Sequence, residues 1–416
     1  MGRGNGRRLV ALLGCGLLSS IATAASQRTF VSPTGSDTNP CSLAQPCRTF
    51  GAAITQTASG GEVIVLDSAG YGSVTIAQSV SIIAPPGIYA GISLTQPSAN
   101  GVAINGSNID VVLRGLTIIA LGGANGTIGV NVMSARSVTV DRCTISGVNG
   151  DGIYSQASTQ LTVSNSELRG NSTGIASNGG TIDVVNSRIL DSSQMGISAN
   201  SGVALHVNRS EIAGSGNNGI LAVSSVAGVL SKTTISQTRL AKNGSPGLAV
   251  SSLAGGLSEV AISDSVIADN GNQGLNFYAD AGSTTRVAGS RLAINGNVST
   301  GVLAASGGAS SLMVLALSDS TVSGNGGDGV NSYAVDPAAV TSVTLAANRI
   351  SGNVGSGVTS QFPGATIAAH NNTISRNNIF GLWIVGGAIN SDGSNVVNEN
   401  KSGDLFGGVL GPLPKY

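Results

Sequence analysis

Ile267-Ala-Asp-Asn270-Gly-Asn-Gln-Gly274-Leu275 returns as Val322-Ser-Gly-Asn325-Gly-Gly-Asp-Gly329-Val330, and again as Ile350-Ser-Gly-Asn353-Val-Gly-Ser-Gly357-Val358. Each copy sets Asn three residues after an apolar anchor, then Gly and a second apolar residue four and five further on. The Gly of that pair recurs at 129, 152, 174, 196, 219, 247, 274, 301, 329, 357 and 381, in steps of 22 to 28 residues. A repeat of this length, with short β-branched runs and no helical spacing, describes the coils of a parallel β-solenoid, each burying its apolar face against its neighbours. Leucine-rich repeats share the period, but their regular leucine grid is missing.

Stacked coils lie about 4.8 Å apart, so aligned repeat positions become physical columns. One column reads Asn171, Asn243, Asn270, Asn295, Asn325, Asn353 and Asn377, an expected ladder of stacked amides in left-handed turn geometry. A second reads Ser166, Ser187, Ser210, Thr238, Ser265, Ser290, Ser320, Asn348 and Asn372. Stacking like on like satisfies buried polar groups, so both columns are structural. A third, Glu167, Arg188, Glu211 and Arg239, alternates in sign and predicts cross-strand ion pairs.

From Gly219 the step lengthens by about five residues, through inserted arcs near 223–230, 251–257, 278–284, 304–310 and 333–339. Two of these carry Val226, Val229, Leu230, Leu253 and Leu257. The favoured reading is that the coil widens and takes them in as core. The alternative is an exposed apolar strip through which residues 223–257 self-associate.

The regions outside the repeats read as leader, cap and tail. Arg3, Arg7 and Arg8 precede the apolar run Leu9 to Leu18 and the small residues Ala22-Thr-Ala24, which makes residues 1–25 a signal peptide. A lipoprotein at Cys15 is the weaker alternative. Residues 26–60 hold a strand, a loop closed by a Cys41–Cys47 disulfide, and an amphipathic helix built on Phe50, Ala53 and Ile54 that covers the first coil. Residues 61–400 form the solenoid of about thirteen coils, and 401–416 a tail. Cys143 falls at a Ser or Thr position of the repeat and reads as a buried structural thiol.

Acids and bases balance at twenty each, and charged residues make up 10% of the chain. That leaves no basic field for nucleic acid and no charge-driven polyanion partner. No run of about eighteen apolar residues follows the leader, so no transmembrane segment is expected. The expected location is secreted, periplasmic or at the cell surface.

Three further segments, Thr29-Phe-Val-Ser-Pro-Thr-Gly-Ser-Asp37, Pro46-Cys-Arg-Thr-Phe50 and Gly61-Glu-Val-Ile-Val65, complete a resemblance over roughly residues 28 to 400. With the repeats, they make the chain similar to the pectin-lyase-like superfamily. The resemblance implies an all-β fold: a single-stranded right-handed parallel β-helix solenoid with an N-terminal capping helix. It implies no single activity, because such scaffolds host lyases, hydrolases, epimerases and adhesins.

The superfamily's enzymes need dense charge on one face, and the segments Asn-Thr-Asp, Gly-Asp-Asp and Gly-His-Gly of galacturonase-like sites are missing here. His206 and His370 lie in separate coils without an acid beside them in sequence. Asp151 and Asp328 share a column seven repeats apart, about 34 Å, too far to act as a glycosidase pair. Lys242 and Asp269 fall on neighbouring coils as a surface pair. No catalytic residue, cofactor or metal ligand is therefore assigned. The candidate ligand face is Asn276, Tyr278, Asn331 and Tyr333, the two tyrosines two rungs and about 10 Å apart. The reading is an exported, non-catalytic β-helix, surface-associated, adhesive or glycan-associated, with a polysaccharide or another surface protein as partner. The alternative is a lyase or hydrolase acting on an acidic glycan.

Overall fold

The computed structural model describes residues 1–2, 25–96, 99–121, 128–156, 159–200 and 202–413; most of the expected leader, Cys15 included, lies outside them. The chain winds into a right-handed β-solenoid of three parallel sheets, with sixteen, fourteen and fourteen strands. Each strand pairs in parallel with its equivalent one coil later; Ser137–Asp141, for example, lies on Gln160–Ser164. The solenoid exceeds the expected thirteen coils because the stretch read as a tail adds Gly403–Phe406 and Gly411–Pro412 to two of the sheets.

At the N-terminal end the helix Phe50–Gln56 is the lid. Thr49 caps it by accepting from the Ala52 N–H, and Phe50, Ala53 and Ile54 face inward. Phe50 packs on Tyr71 with ring centroids 5.1 Å apart. Cys41 and Cys47 form the disulfide, both buried. Among the described residues no helix is long and apolar enough to cross a membrane.

The apolar anchors Ile145, Leu168, Ile189, Ile212, Leu240 and Ile267 stack one above another in the core, fully buried. Burying each such side chain stabilises the fold by about 1.5 to 3 kcal/mol. The repeated glycine is explained by the same stacking. A Cβ on any of Gly129 through Gly381 in that column would stand 2.5 to 3.1 Å from a carbonyl oxygen of the next coil. Closeness rather than backbone angle excludes a side chain there.

Six links of 2.9 Å join Asn243, Asn270, Asn297, Asn325, Asn353, Asn377 and Asn400, each Nδ2 donating to Oδ1 of the next coil. Asn400 then donates to Asp404, which ends the ladder within its own coil. Three details differ from the sequence reading. The member in its third coil is Asn297, three residues after the anchor Ile294, and not Asn295, which ends the strand Ala293–Asn295. In the serine column that coil supplies Leu292 rather than Ser290, which sits two residues earlier on the neighbouring strand. The left-handed turn residue is the one before the ladder position, Lys242, Asp269, Gly296, Gly324, Gly352 and Arg376, leaving each asparagine free to point inward.

The inserted arcs lengthen the first-sheet strands from five residues, as in Ala204–Asn208, to seven, as in Leu230–Ser236 and Leu257–Ser263. Alternation along these strands turns Ser231, Ser258, Thr285, Met313 and Thr341 inward. It turns Leu230, Leu257, Leu312 and Val340 outward, with Leu230 37% and Val226 50% exposed. The favoured expectation that the apolar residues become core is therefore corrected. The widened interior is a hydroxyl seam, in which Ser252 hydrogen-bonds to Ser258 and Thr285, both at 2.7 Å, and Ser306 to Thr341 at 2.7 Å.

Candidate functional site

The glycine and apolar residue that open each second-sheet strand fix which side chains leave the coil. Inward Leu275, Val302 and Val330 leave Asn276, Leu303 and Asn331 outward in one column, continued by Thr359 and Trp383. Two residues on, Tyr278, Ala305, Tyr333 and Gln361 form the next outward column. The four candidate ligand residues thus share one face, with the tyrosines two rungs apart. Tyr278 lies over the space left by Gly307, its hydroxyl 3.4 Å from Asp280. Burial and the neighbouring Asp280 raise its pKa.

Towards the C-terminus this face gathers further aromatic side chains around Trp383, which the repeat already puts among the outward positions with Tyr154, Tyr278 and Tyr333; Phe362, Phe380 and Phe406 are the additions. Tyr333 meets Phe362 edge-on at 5.0 Å, Phe380 stacks on Phe406 at 4.5 Å, and Trp383 lies 6.0 Å from Phe380. Trp383 is the repeat equivalent of Asn331, and the same register would have found Phe380, the equivalent of Asp328, each two coils on.

Asp328 is the polar centre of this region. The Ser356 N–H donates to its Oδ1 at 2.7 Å and the Asn331 amide to its Oδ2 at 3.1 Å. Burial pushes its carboxyl above the ordinary range, against these hydrogen bonds. Asn331 Oδ1 is itself buried without a protein partner. Asp151, the equivalent carboxylate in the narrow coils, is also raised by burial and is bonded by Thr173, while Tyr154 beside it accepts from Asn178.

Charged side chains gather elsewhere, in an open cleft of about 590 Å³ lined by Arg188, Arg209, Glu211, Arg239 and Asp264. Stacking gives each histidine an acid that the linear sequence concealed: His206 is the rung neighbour of Asp183, and His370 adds attraction to Asp392, which the Ser394 hydrogen bonds hold below the ordinary carboxylate range. Glu167, Arg188, Glu211 and Arg239 form the expected chain of ion pairs at 3.1, 3.3 and 3.7 Å. Lys242 and Asp269 occupy aligned positions, without an ion pair between them. Cys143 is buried, and burial pushes its thiol up to about 12, far from a nucleophile's range. Two shallow clefts of about 300 and 330 Å³ lie on the first sheet; the first is floored by Ala261, Ala288 and Ala316, and the second carries Lys232, Glu259 and Arg286 around Ala261 and Ala288. Among the described residues no three His, Cys, Asp or Glu converge on a metal position.

A family model of the right-handed β-helix region matches residues 90–232, the narrow coils up to the start of the widened ones. Among solved structures, the Dettilon tailspike protein (gp208) is similar at 13% identity and a TM-score of 0.51, covering 80% of this chain and 63% of its own. A double mutant of the periplasmic alginate epimerase AlgG is similar at 12% identity and a TM-score of 0.50, covering 85% of this chain and 77% of its own. The chain has the pectin-lyase-like β-helix fold. This β-helix spans less than two thirds of the tailspike chain's length, and at such identity the likeness extends to fold alone. No curated protein matches the β-helix by sequence.

Proposed function

We propose that this protein is an exported β-helix that binds a glycan along the outer face of its second sheet without cleaving it. The observation that carries the reading is the run of aromatic side chains on that face: Tyr278, Tyr333, Phe362, Phe380, Trp383 and Phe406, six of the thirteen aromatic residues in the chain. Aromatic rings are apolar platforms for the CH faces of sugars, and successive rungs repeat at a spacing an extended oligosaccharide can follow. A fold shared with an alginate epimerase agrees with a polysaccharide ligand. Export rests on the leader-like residues 1–25 and on the buried disulfide, which suits an oxidising compartment.

The argument against turnover is geometric. Asp328 is held by hydrogen bonds among the aromatic side chains, its column mate Asp151 stands seven rungs away, and the other hydrogen-bonded carboxylates of this face, Asp280 and Asp404, belong to coils two and three rungs from it. Glycoside hydrolysis requires two carboxyl groups within about 5 to 10 Å. A glycan array probed with the secreted protein, followed by a reducing-end assay on each bound glycan, tests both halves. The expected result is binding without new reducing ends, lost in Trp383→Ala and Tyr333→Ala. Product formation from any glycan defeats the non-catalytic half, and binding unaffected by both substitutions defeats the proposed face.

A further inference from the structure

Asn331 is only 8% exposed, and its Oδ1 has no protein partner. Its amide nitrogen is committed to Asp328 Oδ2, and the Ser356 N–H to Asp328 Oδ1. Asn331 Oδ1 is itself closed off from solvent, so the acceptor that an approaching molecule meets is the half-buried Asp328 carboxylate. None of the groups acting on Asp328 is a cation; they are burial, the Ser356 backbone, Thr359 and Asn331. Apolar rings stand to the side, at Tyr333 with Phe362, and two rungs on, at Phe380 with Trp383.

We infer that the surface at Asp328, held by Asn331, selects a neutral, hydroxyl-bearing pyranose and rejects uronates, so that the glycan on this face is uncharged. The inference rests on the glycan-binding reading above and supplies its substrate class. A sugar hydroxyl donates to the Asp328 carboxylate, which the Asn331 amide holds in place, while the ring's CH face lies on an aromatic side chain. A uronate brings a second carboxylate towards Asp328 where no cation neutralises either, and like charges so placed repel.

The test is a glycan array carrying neutral and uronate-containing oligosaccharides, then calorimetry on the full chain with cellohexaose, maltohexaose and hexagalacturonate. A neutral oligosaccharide should bind, and hexagalacturonate at least about tenfold more weakly. Asp328→Asn should narrow that gap by improving uronate binding, whereas Asn331→Leu should weaken the neutral ligand. The wild-type comparison decides the matter by itself if either variant misfolds. Uronate binding equal to or tighter than neutral binding, and abolished by Trp383→Ala, would overturn the selectivity while leaving the glycan face intact. Absence of any glycan binding overturns both.

Discussion

The narrow coils between Gly129 and Gly219 and the widened coils between Gly247 and Gly357 share the same anchor and glycine columns, yet they present different surfaces. In the narrow coils the third sheet carries Glu167, Arg188 and Glu211, an ion-pair chain that ends on Arg239 of the next coil, and the first-sheet strands have five residues. In the widened coils those strands have seven, the interior gains a hydroxyl seam, and the second sheet leads into the aromatic face. Five added residues per coil leave the columns in register and change only what lies beyond them. A solenoid tolerates this because each coil's stability depends on its two neighbours.

The comparison breaks first at its shared part. Gly174→Val in the narrow region and Gly329→Val in the widened region should each cost about 3 kcal/mol or more, since either Cβ meets an anchor side chain and a carbonyl oxygen of the next coil within 2.6 Å. Chemical denaturation of the two variants checks this, and a large loss at only one site would show that the columns are not equivalent. Asn325→Leu comes next. It removes both ladder bonds of a fully buried amide and strands Asn297 above it, for an expected loss of about 2 kcal/mol.

In the narrow coils Ser215 occupies the ladder position with a hydroxyl lacking a partner, while its N–H already donates to Asn243. Ser215→Asn should extend the ladder and raise stability by about 1 kcal/mol, measured by the same denaturation.

Asp328 sharpens the comparison through pH. Burial raises its folded pKa, so the native state holds the proton more tightly than the unfolded chain. Its contribution is most favourable below the ordinary carboxylate range and is lost as pH rises through the raised value. Asp328→Asn should therefore raise the melting temperature at neutral pH and give no gain at pH of about 3. The smallest effect is expected from Leu230→Ser with Leu253→Ser, outside the coil, at about 0.5 kcal/mol or less. A large fall in melting temperature would return these residues to the core, and sedimentation of the same variant reports any association through residues 223–257.

The sequence alone determined the coils, the capping helix, the disulfide and most ladder members, because a period places equivalent residues in columns whatever the details of each turn. Where two asparagines lay within one turn, at Asn295 and Asn297, only the pairing of Ile267 with Ile294 settled which entered the ladder. The tertiary structure also decided what periodicity cannot carry. It turned Ser258 inward and Leu257 outward, since a one-residue change of register along a strand exchanges its faces. It set Asp183 beside His206, and it stacked Phe406 on Phe380 beside Trp383, from coils more than twenty residues apart. Such neighbours are made by stacking, so the linear order of the chain leaves no mark of them until the register is known.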